Sequence, residues 1–476
     1  MDTPTIEGAL NDRFPFASPG ETISVKDRIA AGKALRQKVK RSEHGVYQPA
    51  ENREDPIAIL EAQAKTRLSE LIPIRHARML TSPFAFLRGA AAIMIQDIGS
   101  AATTGISVQA CGDMHVSNFG VFASAERNLI FGINDFDETL PGAWEWDIKR
   151  LVASAVVAGR YLEANRGQCE DAVRAIVQTY RQQMNEYAEM GYLDVWYESI
   201  TGDDLIQKLP DDLQKNAFQR LLKVRERNHL QVLDRMTSLV DNQYHIVEDP
   251  PLVVRLETLV QRHFSEEELR LLMQDYYSSL SGDRRYLLSQ YQVLDVARKV
   301  VGVGSVGTRC WVIYLAGKDH KDPLFLQVKE AQPSVLAPYS EVFCNHRMPD
   351  NHQGHRVVIG QRLIQGAPDI FLGWGDLGGV NYYFRQLRDM KGGVKLEKGK
   401  ISPARFPDYC RLCGWALALA HAKSGDAAML AGYVGKSEAL DDALVQFAFA
   451  YADQTEQDYE RLVRAAQEGR IPVDAE

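Results

Sequence analysis

The feature that most constrains the fold is a change of apolar period partway along the chain. Apolar residues recur at helical spacing from Pro56 to about Ile98 and from Trp146 to about Leu162, and a charged, mostly helical region runs from Cys169 to about Tyr291. The pattern then changes. Val300 to Gly307 is rich in glycine, Trp311 to Ala316 and Leu324 to Lys329 read as strands joined by the polar turn Gly317 to Pro323, and Val380 to Leu387 reads as another strand. One helix, about His355 to Gln365, interrupts this block, and helical spacing returns over Tyr409 to Ala422 and Asp441 to Ala466. Strands gathered into one block between helical stretches predict an α+β protein, with a large helical part and a small antiparallel sheet. The expected divisions are an extended or partly ordered arm over 1–55, helices over 56–165, a helical insert over 166–295, the sheet over 296–400 and closing helices over 401–476.

Bulk properties narrow the function. The net charge of −8 argues against nucleic acid as the main partner. No apolar run approaches the ~20 residues that span a bilayer, so no membrane partner is expected. Met1 to Gly20 lacks a basic stretch followed by an apolar one, and six cysteines in 476 residues are no disulfide framework. A cytoplasmic location is the expectation. Cys410 and Cys413 form a lone CxxC on a helical pattern with no second ligand pair, and read as core cysteines.

Chemistry concentrates in Gly112-Asp113-Met114-His115-Val116-Ser117-Asn118 and Ile133-Asn134-Asp135-Phe136-Asp137. Short strands, Ile106 to Ala110 and Leu129 to Asn134, flank the first motif. Gly112 permits a sharp turn after the first strand, which leaves Asp113 at the mouth of a cleft. Asn118 lies across the loop, and the second strand presents Asp135 and Asp137. One carboxylate, Asp113, suits orientation of a hydroxyl nucleophile. Asn118, Asp135 and Asp137 suit Mg²⁺, which takes one or two carboxylates plus phosphates and waters. The plainer reading of the same residues is a pair of Asx turns that cap loops.

Gly302-Val303-Gly304-Ser305-Val306-Gly307 lies between strands, where a dinucleotide fingerprint would have to open a helix. In this setting Gly302, Gly304, Ser305 and Gly307 suit a hairpin that closes over phosphates, or an ordinary hairpin turn. Lys329 ends an apolar strand and would point its ammonium into the same cleft to grip nucleotide phosphates; the alternative is a lysine at a sheet edge.

Residues Gly112 to Leu151 resemble the catalytic segment of the aminoglycoside-phosphotransferase and choline-kinase branch of the protein-kinase-like fold. The resemblance rests on Cys111-Gly112-Asp113-Met114-His115-Val116-Ser117-Asn118, then Asp135, then Glu145-Trp146-Asp147. It implies a two-lobed kinase-like fold that uses ATP and Mg²⁺. Asp113 would be the catalytic base, Asn118 and Asp135 Mg ligands, Asp137 an auxiliary ligand, and Asp147 a brace for the loop. Gly302 to Gly307 would cover the nucleotide, and Lys329 would grip its phosphates. The Gly-rich sheet follows the catalytic loop here, whereas a kinase places it before, so the resemblance implies a circular permutation. Cys111 replaces the usual loop histidine. No helix glutamate is evident as a partner for Lys329: Glu330 would face the other way, Glu341 lies in an irregular stretch and position 359 is Ile.

The chain also resembles bacterial domain-of-unknown-function family 2252 through Ser82 to Gly89, the GDMHVSNFG loop, NDFDE, Leu326 to Ala331 and Arg385 to Asp389. The leading expectation is an ATP- and Mg-dependent phosphotransferase acting on an unidentified small-molecule or protein hydroxyl. A nucleotide-binding pseudokinase and an AMP-transferring enzyme on the same fold are the alternatives. Gly112-Asp113-Met114-His115 also resembles the opening motif of metallophosphatases, which would need ligands such as Asn345-His346 or Asn351-His352.

Overall fold

The computed structural model describes residues 23–208, 211–225, 229–240, 243–260, 265–342, 351–387 and 391–474. Helices α1 (Val25–Ala34), α2 (Pro56–Ala64), α3 (Ile72–Met79), α4 (Pro83–Gly89) and α5 (Ala91–Ile98) come first. Strands β1 (Ser107–Ala110), β2 (Phe119–Ala123), β3 (Leu129–Ile133) and β4 (Leu140–Ala143) lead into α6 (Trp144–Tyr161) and α7 (Arg166–Tyr187). After β5 (Ile200–Thr201), β6 (Thr237–Val240), β7 (Gln243–Ile246) and β8 (Val253–Arg255) come α8 (Glu266–Ser279), β9 (Gln292–Lys299), β10 (Cys310–Ala316) and β11 (Pro323–Glu330). Next are α9 (Gln353–Ile364), β12 (Gly373–Leu377), β13 (Val380–Gln386), α10 (Phe406–Ser424), α11 (Ala427–Val434) and α12 (Ala439–Gln467). The protein is α+β, and each strand pairing among the described residues is antiparallel.

The largest sheet has the order β12-β13-β11-β10-β9-β8. Alternation decides what each of its faces does. Leu326 and Val328 of β11 and Phe384 of β13 face a cluster completed by Leu272, Tyr276 and Leu280, where the Tyr276 ring stacks on Phe384 with centroids 3.9 Å apart. Phe325, with Val312 and Tyr314, faces Val232, Leu233 and Ile246. Gln327 and Lys329 share the Phe325 side of β11, and Tyr383 and Arg385 take that side of β13. The site is built there.

The sheet draws on more of the chain than its expected block. β8, α8 and β9 begin before residue 296, yet β8 and β9 pair into the sheet and α8 covers one of its faces. Their sequences hide this, because β9 exposes Gln292, Val293 and Leu294 and buries only its middle residues. The expected arm over 1–55 also differs: α1 is a regular helix. It has no apolar stripe, because it docks through glycine. A Cβ on Gly32 would lie 2.0 Å from Met429 O, and one on Gly432 2.1 Å from Ile29 O, so α1 and α11 touch backbone to backbone. Further along, Arg53 clamps two carboxylates, with Nε 2.6 Å from Asp97 Oδ1 and Nη2 2.6 Å from Asp458 Oδ2.

The main core joins α6, α7, α10 and α12, and it contains Cys410 and Cys413 as buried free thiols. No described helix is long and apolar enough to cross a membrane. Residues 1–22, on which the secretory reading rests, lie outside the described residues, as do Arg388 and Asp389 of the last family motif.

His44 supplies a pH test of this packing. It is 2% exposed, its Nε2 is 2.6 Å from the Tyr433 hydroxyl, and the Trp144 and Tyr433 rings meet it edge-on. Burial, helped by Lys149, pushes its pKa from 6.5 down to about 3. Below pH 6.5 the unfolded chain takes up a proton that the folded chain refuses, so stability is present above pH 6.5 and is lost as pH falls toward 3. At pH 4.5 the loss from this group is about 3 kcal/mol. Denaturant curves should fall less steeply with acid for His44→Gln than for wild type; parallel curves would show that His44 is not held neutral.

Candidate functional site

Strand β1 ends at Ala110, and the chain then turns through Gly112 at φ +80°. A side chain at 112 would be strained there and would meet Glu138 O at 2.7 Å. The turn is held by Asp147, which is 1% exposed at the start of α6. Its Oδ2 accepts the Cys111 N–H at 2.7 Å and its Oδ1 accepts the Gly112 N–H at 2.9 Å. A carboxylate on the first turn of a helix also meets the positive end of the helix dipole. Behind it, His421 Nε2 lies 3.3 Å from Asp147 Oδ2, and His421 Nδ1 is 2.8 Å from the Tyr180 hydroxyl. The loop therefore stands on a buried polar chain that reaches into α7 and α10.

Asn118 ties the two motifs together. Its Oδ1 accepts the Asp135 N–H at 2.8 Å, and its Nδ2 donates to Asp113 O at 3.2 Å and Asp135 O at 3.1 Å. Asp113 is fixed in turn by Arg150, whose Nη2 and Nε donate to Asp113 Oδ1 at 2.5 and 2.9 Å. Arg150 went unnoticed in the sequence, although it lies three residues after Asp147 and so on the same helix face. His115 Nε2 is 3.7 Å from Asp113 Oδ2, but burial pushes its pKa down to about 3, so the ring is neutral near pH 7.

The lysine has a partner, and it is not on a helix. Lys329 is 2% exposed, with Nζ 2.6 Å from Asp137 Oδ2 and 3.6 Å from Asp135 Oδ1. Burial opposes its charge, yet Asp135 and Asp137 together hold its pKa above the usual lysine range. Tyr383 donates to Asp137 Oδ1 at 2.6 Å and Ser305 to Asp137 Oδ2 at 3.0 Å. Both Asp137 oxygens are thus engaged inside the protein. Lys329, with the Tyr383 hydrogen bond, keeps Asp137 ionised against the effect of burial. Asp135 is shifted the other way, by burial and then by the neighbouring Asp137 charge. Its Oδ1 accepts no hydrogen bond. Glu138 is pushed up to about 7, chiefly by burial.

The Gly-rich segment forms the connection between β9 and β10, with Gly302 at φ +67° and Gly307 at φ +90°. Arg67 Nη1 donates to Gly304 O at 2.8 Å and Val306 O at 2.5 Å, and Arg78 Nη1 donates to Gly302 O at 2.6 Å. Val306 is buried against Leu71 and Ile74. The loop is therefore fastened across to the helices that precede β1.

A cavity of about 530 Å³ collects Asp113, Asn118, Asp135, Asp137, Gly302, Gly304 and Ser305 in its wall. Lys329 reaches this wall through Asp135 and Asp137, while Gly307 is set back against Arg67. A second cavity, of about 710 Å³, shares Asn134, Arg385 and Lys391 with the first. No group of three His, Cys, Asp or Glu side chains among the described residues is arranged to hold a metal ion by itself. Asp135 Oδ1, which accepts no hydrogen bond and has only Lys329 Nζ at 3.6 Å, and Asn118 Oδ1, held on the Asp135 N–H, fit a cation that brings most of its ligands with it, as Mg²⁺ on phosphates does. Of the residues a phosphatase would need, His352 caps α9 by accepting the His355 N–H and is absent from this cavity's wall. Asn345 and His346 lie outside the described residues.

Comparison with known proteins found no match among curated proteins or solved structures. One family model matches residues 67–465, a span that holds the loop, the Gly-rich connection and Lys329. The chain therefore belongs to the DUF2252 family, uncharacterised proteins conserved in bacteria.

Proposed function

We propose that this chain is an ATP- and Mg-dependent phosphotransferase that acts on a small-molecule or protein hydroxyl, with a kinase-like two-lobed cleft in circularly permuted order. The observation that carries the reading is the double hydrogen bond from Cys111 and Gly112 to Asp147. It holds Asp113 in the same cavity wall as the Gly-rich connection, with Asn118 bridging Asp113 to Asp135. Phosphoryl transfer asks little covalent chemistry of a protein and depends on positioning and charge neutralisation. Asp113 would orient the acceptor hydroxyl and take its proton. Lys329 and the N–H groups of the Gly-rich connection would grip phosphates. Asp135 and Asn118 would hold Mg²⁺, which neutralises phosphate charge when bound.

Calorimetry of ATP binding with and without Mg²⁺ tests the nucleotide part. Mg-dependent binding in the micromolar range, about −8 kcal/mol, is expected; no binding in either condition overturns it. Asp113→Asn keeps an oxygen for Arg150 and removes the proton acceptor. It should abolish transfer of the γ-phosphate label, with ATP affinity within about threefold of wild type. Full activity in this variant would rule out Asp113 as the base.

One observation favours a second reading. Arg150 sets two donors on Asp113 Oδ1 and so keeps that oxygen engaged away from an acceptor hydroxyl. A nucleotide-binding protein without phosphoryl turnover would bind Mg-ATP and leave every tested acceptor unlabelled. Transfer of the α-phosphate label would identify AMP transfer.

A further inference from the structure

Three arginines in the wall of the same cavity form no ion pair among the described residues, although the charges of Glu138, Glu330 and Asp137 reach Arg67 and those of Asp113 and Asp135 reach Arg88. Arg67 precedes α3, Arg75 lies on α3 and Arg88 on α4. Arg75 is 1% exposed. Its Nη2 donates to Gln63 Oε1 at 3.0 Å and Gly89 O at 3.1 Å, while its Nε and Nη1 have no partner. Arg67 donates from Nη1 to two carbonyls of the Gly-rich connection, and its Nε has no partner. Arg88 is half-buried, and its Nε is also unpartnered.

Other buried arginines are either saturated with carbonyls, as Arg356 is by Gln353, Thr139, Asp137 and Gln332, or ion-paired. Arg53 sits between Asp97 and Asp458, Arg150 on Asp113, and Arg181 on Asp441. None of Arg67, Arg75 and Arg88 forms an ion pair with a carboxylate among the described residues. A buried guanidinium does not escape by losing its proton, as a lysine can. Its cost is relieved by an anion, and here the protein supplies none within contact. All three arginines line one cavity, and each keeps at least one buried N–H without a partner, a donor that an oxyanion can take up. The neutral His115 beside them adds no competing charge.

We propose that Arg67, Arg75 and Arg88 form a phosphate-binding subsite in this cavity. The bound group is a phosphate monoester or a terminal phosphate. It comes either from the nucleotide or from an acceptor that already carries a phosphate. The location rests on the proposed cleft, whereas the binding of phosphate does not.

The test is calorimetric titration of the full chain with inorganic phosphate, in buffer free of other oxyanions. Saturable binding is expected, weakened at least ~10-fold by Arg88→Gln and less by Arg88→Lys, which keeps the charge. Arg67→Gln is the second variant, so the result does not hang on one fold. No binding at millimolar phosphate, or equal affinity in wild type and both glutamine variants, overturns the subsite. Repeating the titration with saturating Mg-ATP separates the two sources. Loss of phosphate binding assigns the subsite to the nucleotide, and retained binding assigns it to a phosphorylated acceptor. Phosphate binding by a chain that fails to bind Mg-ATP would sink the nucleotide reading and leave the subsite standing.

Discussion

Asp147→Asn is expected to destabilise the protein by about 3 kcal/mol and to reduce phosphoryl transfer, on the function proposed above, at least ~100-fold. The carboxylate takes one backbone N–H on each oxygen, from Cys111 and Gly112. Asparagine accepts on one oxygen only and turns a donor toward the other N–H. One buried backbone donor is left without a partner, in a place no water reaches. Both costs arise at the turn that sets Asp113, so its carboxylate moves, and a shift of about 1 Å at a reacting group is enough for the rate loss. Two measurements check this. The denaturation midpoint should fall, and hydrogen exchange at the Cys111 and Gly112 amides should lose protection relative to amides in the middle of α7. Unchanged protection at those two amides would show that Asp147 does not hold the turn.

Lys329→Met should weaken Mg-ATP binding ~10- to 100-fold on the proposed reading, and should destabilise the protein by about 3 kcal/mol whether or not nucleotide binds. Lys329 is the nearest cation to Asp137, which keeps hydrogen bonds from Tyr383 and Ser305 but loses its counter-charge. Asp135 then faces Asp137 with less shielding. A double-mutant cycle with Asp137→Asn separates the two effects. If the pair is coupled, the double variant is more stable than the sum of the singles predicts, by about 1 kcal/mol or more. Strict additivity would remove Asp137 as the partner of Lys329 while leaving the nucleotide prediction open to its own titration.

The turn at Gly112 was legible because its chemistry is local. A glycine between a short apolar strand and an Asp-to-Asn loop dictates a tight turn, and the apolar runs on either side form β1 and β3 within a residue of their expected ends. Lys329 was legible for the same reason, since alternation along β11 decides its face. Tyr383 carries the same signal two residues before Arg385, and alternation along β13 was enough to find it. The partner of Lys329 was not legible. It lies 192 positions away, and the search ran over helix glutamates, as the resemblance directed. Helix α1 was missed because its packing uses the absence of side chains at Gly32 and Gly432, which leaves no periodic apolar signal.

By itself the sequence determined the α+β class with antiparallel strands, the turn that carries Asp113 and the strand that carries Lys329, because propensity, alternation and turn chemistry act over a few residues. Only the tertiary structure decided which charges meet. It gave Arg150 to Asp113 and Asp137 to Lys329, and among the described residues it left Arg67, Arg75 and Arg88 without an ion-paired carboxylate. Electrostatic energy depends on distance in space and on burial, and neither can be read from separation along a chain.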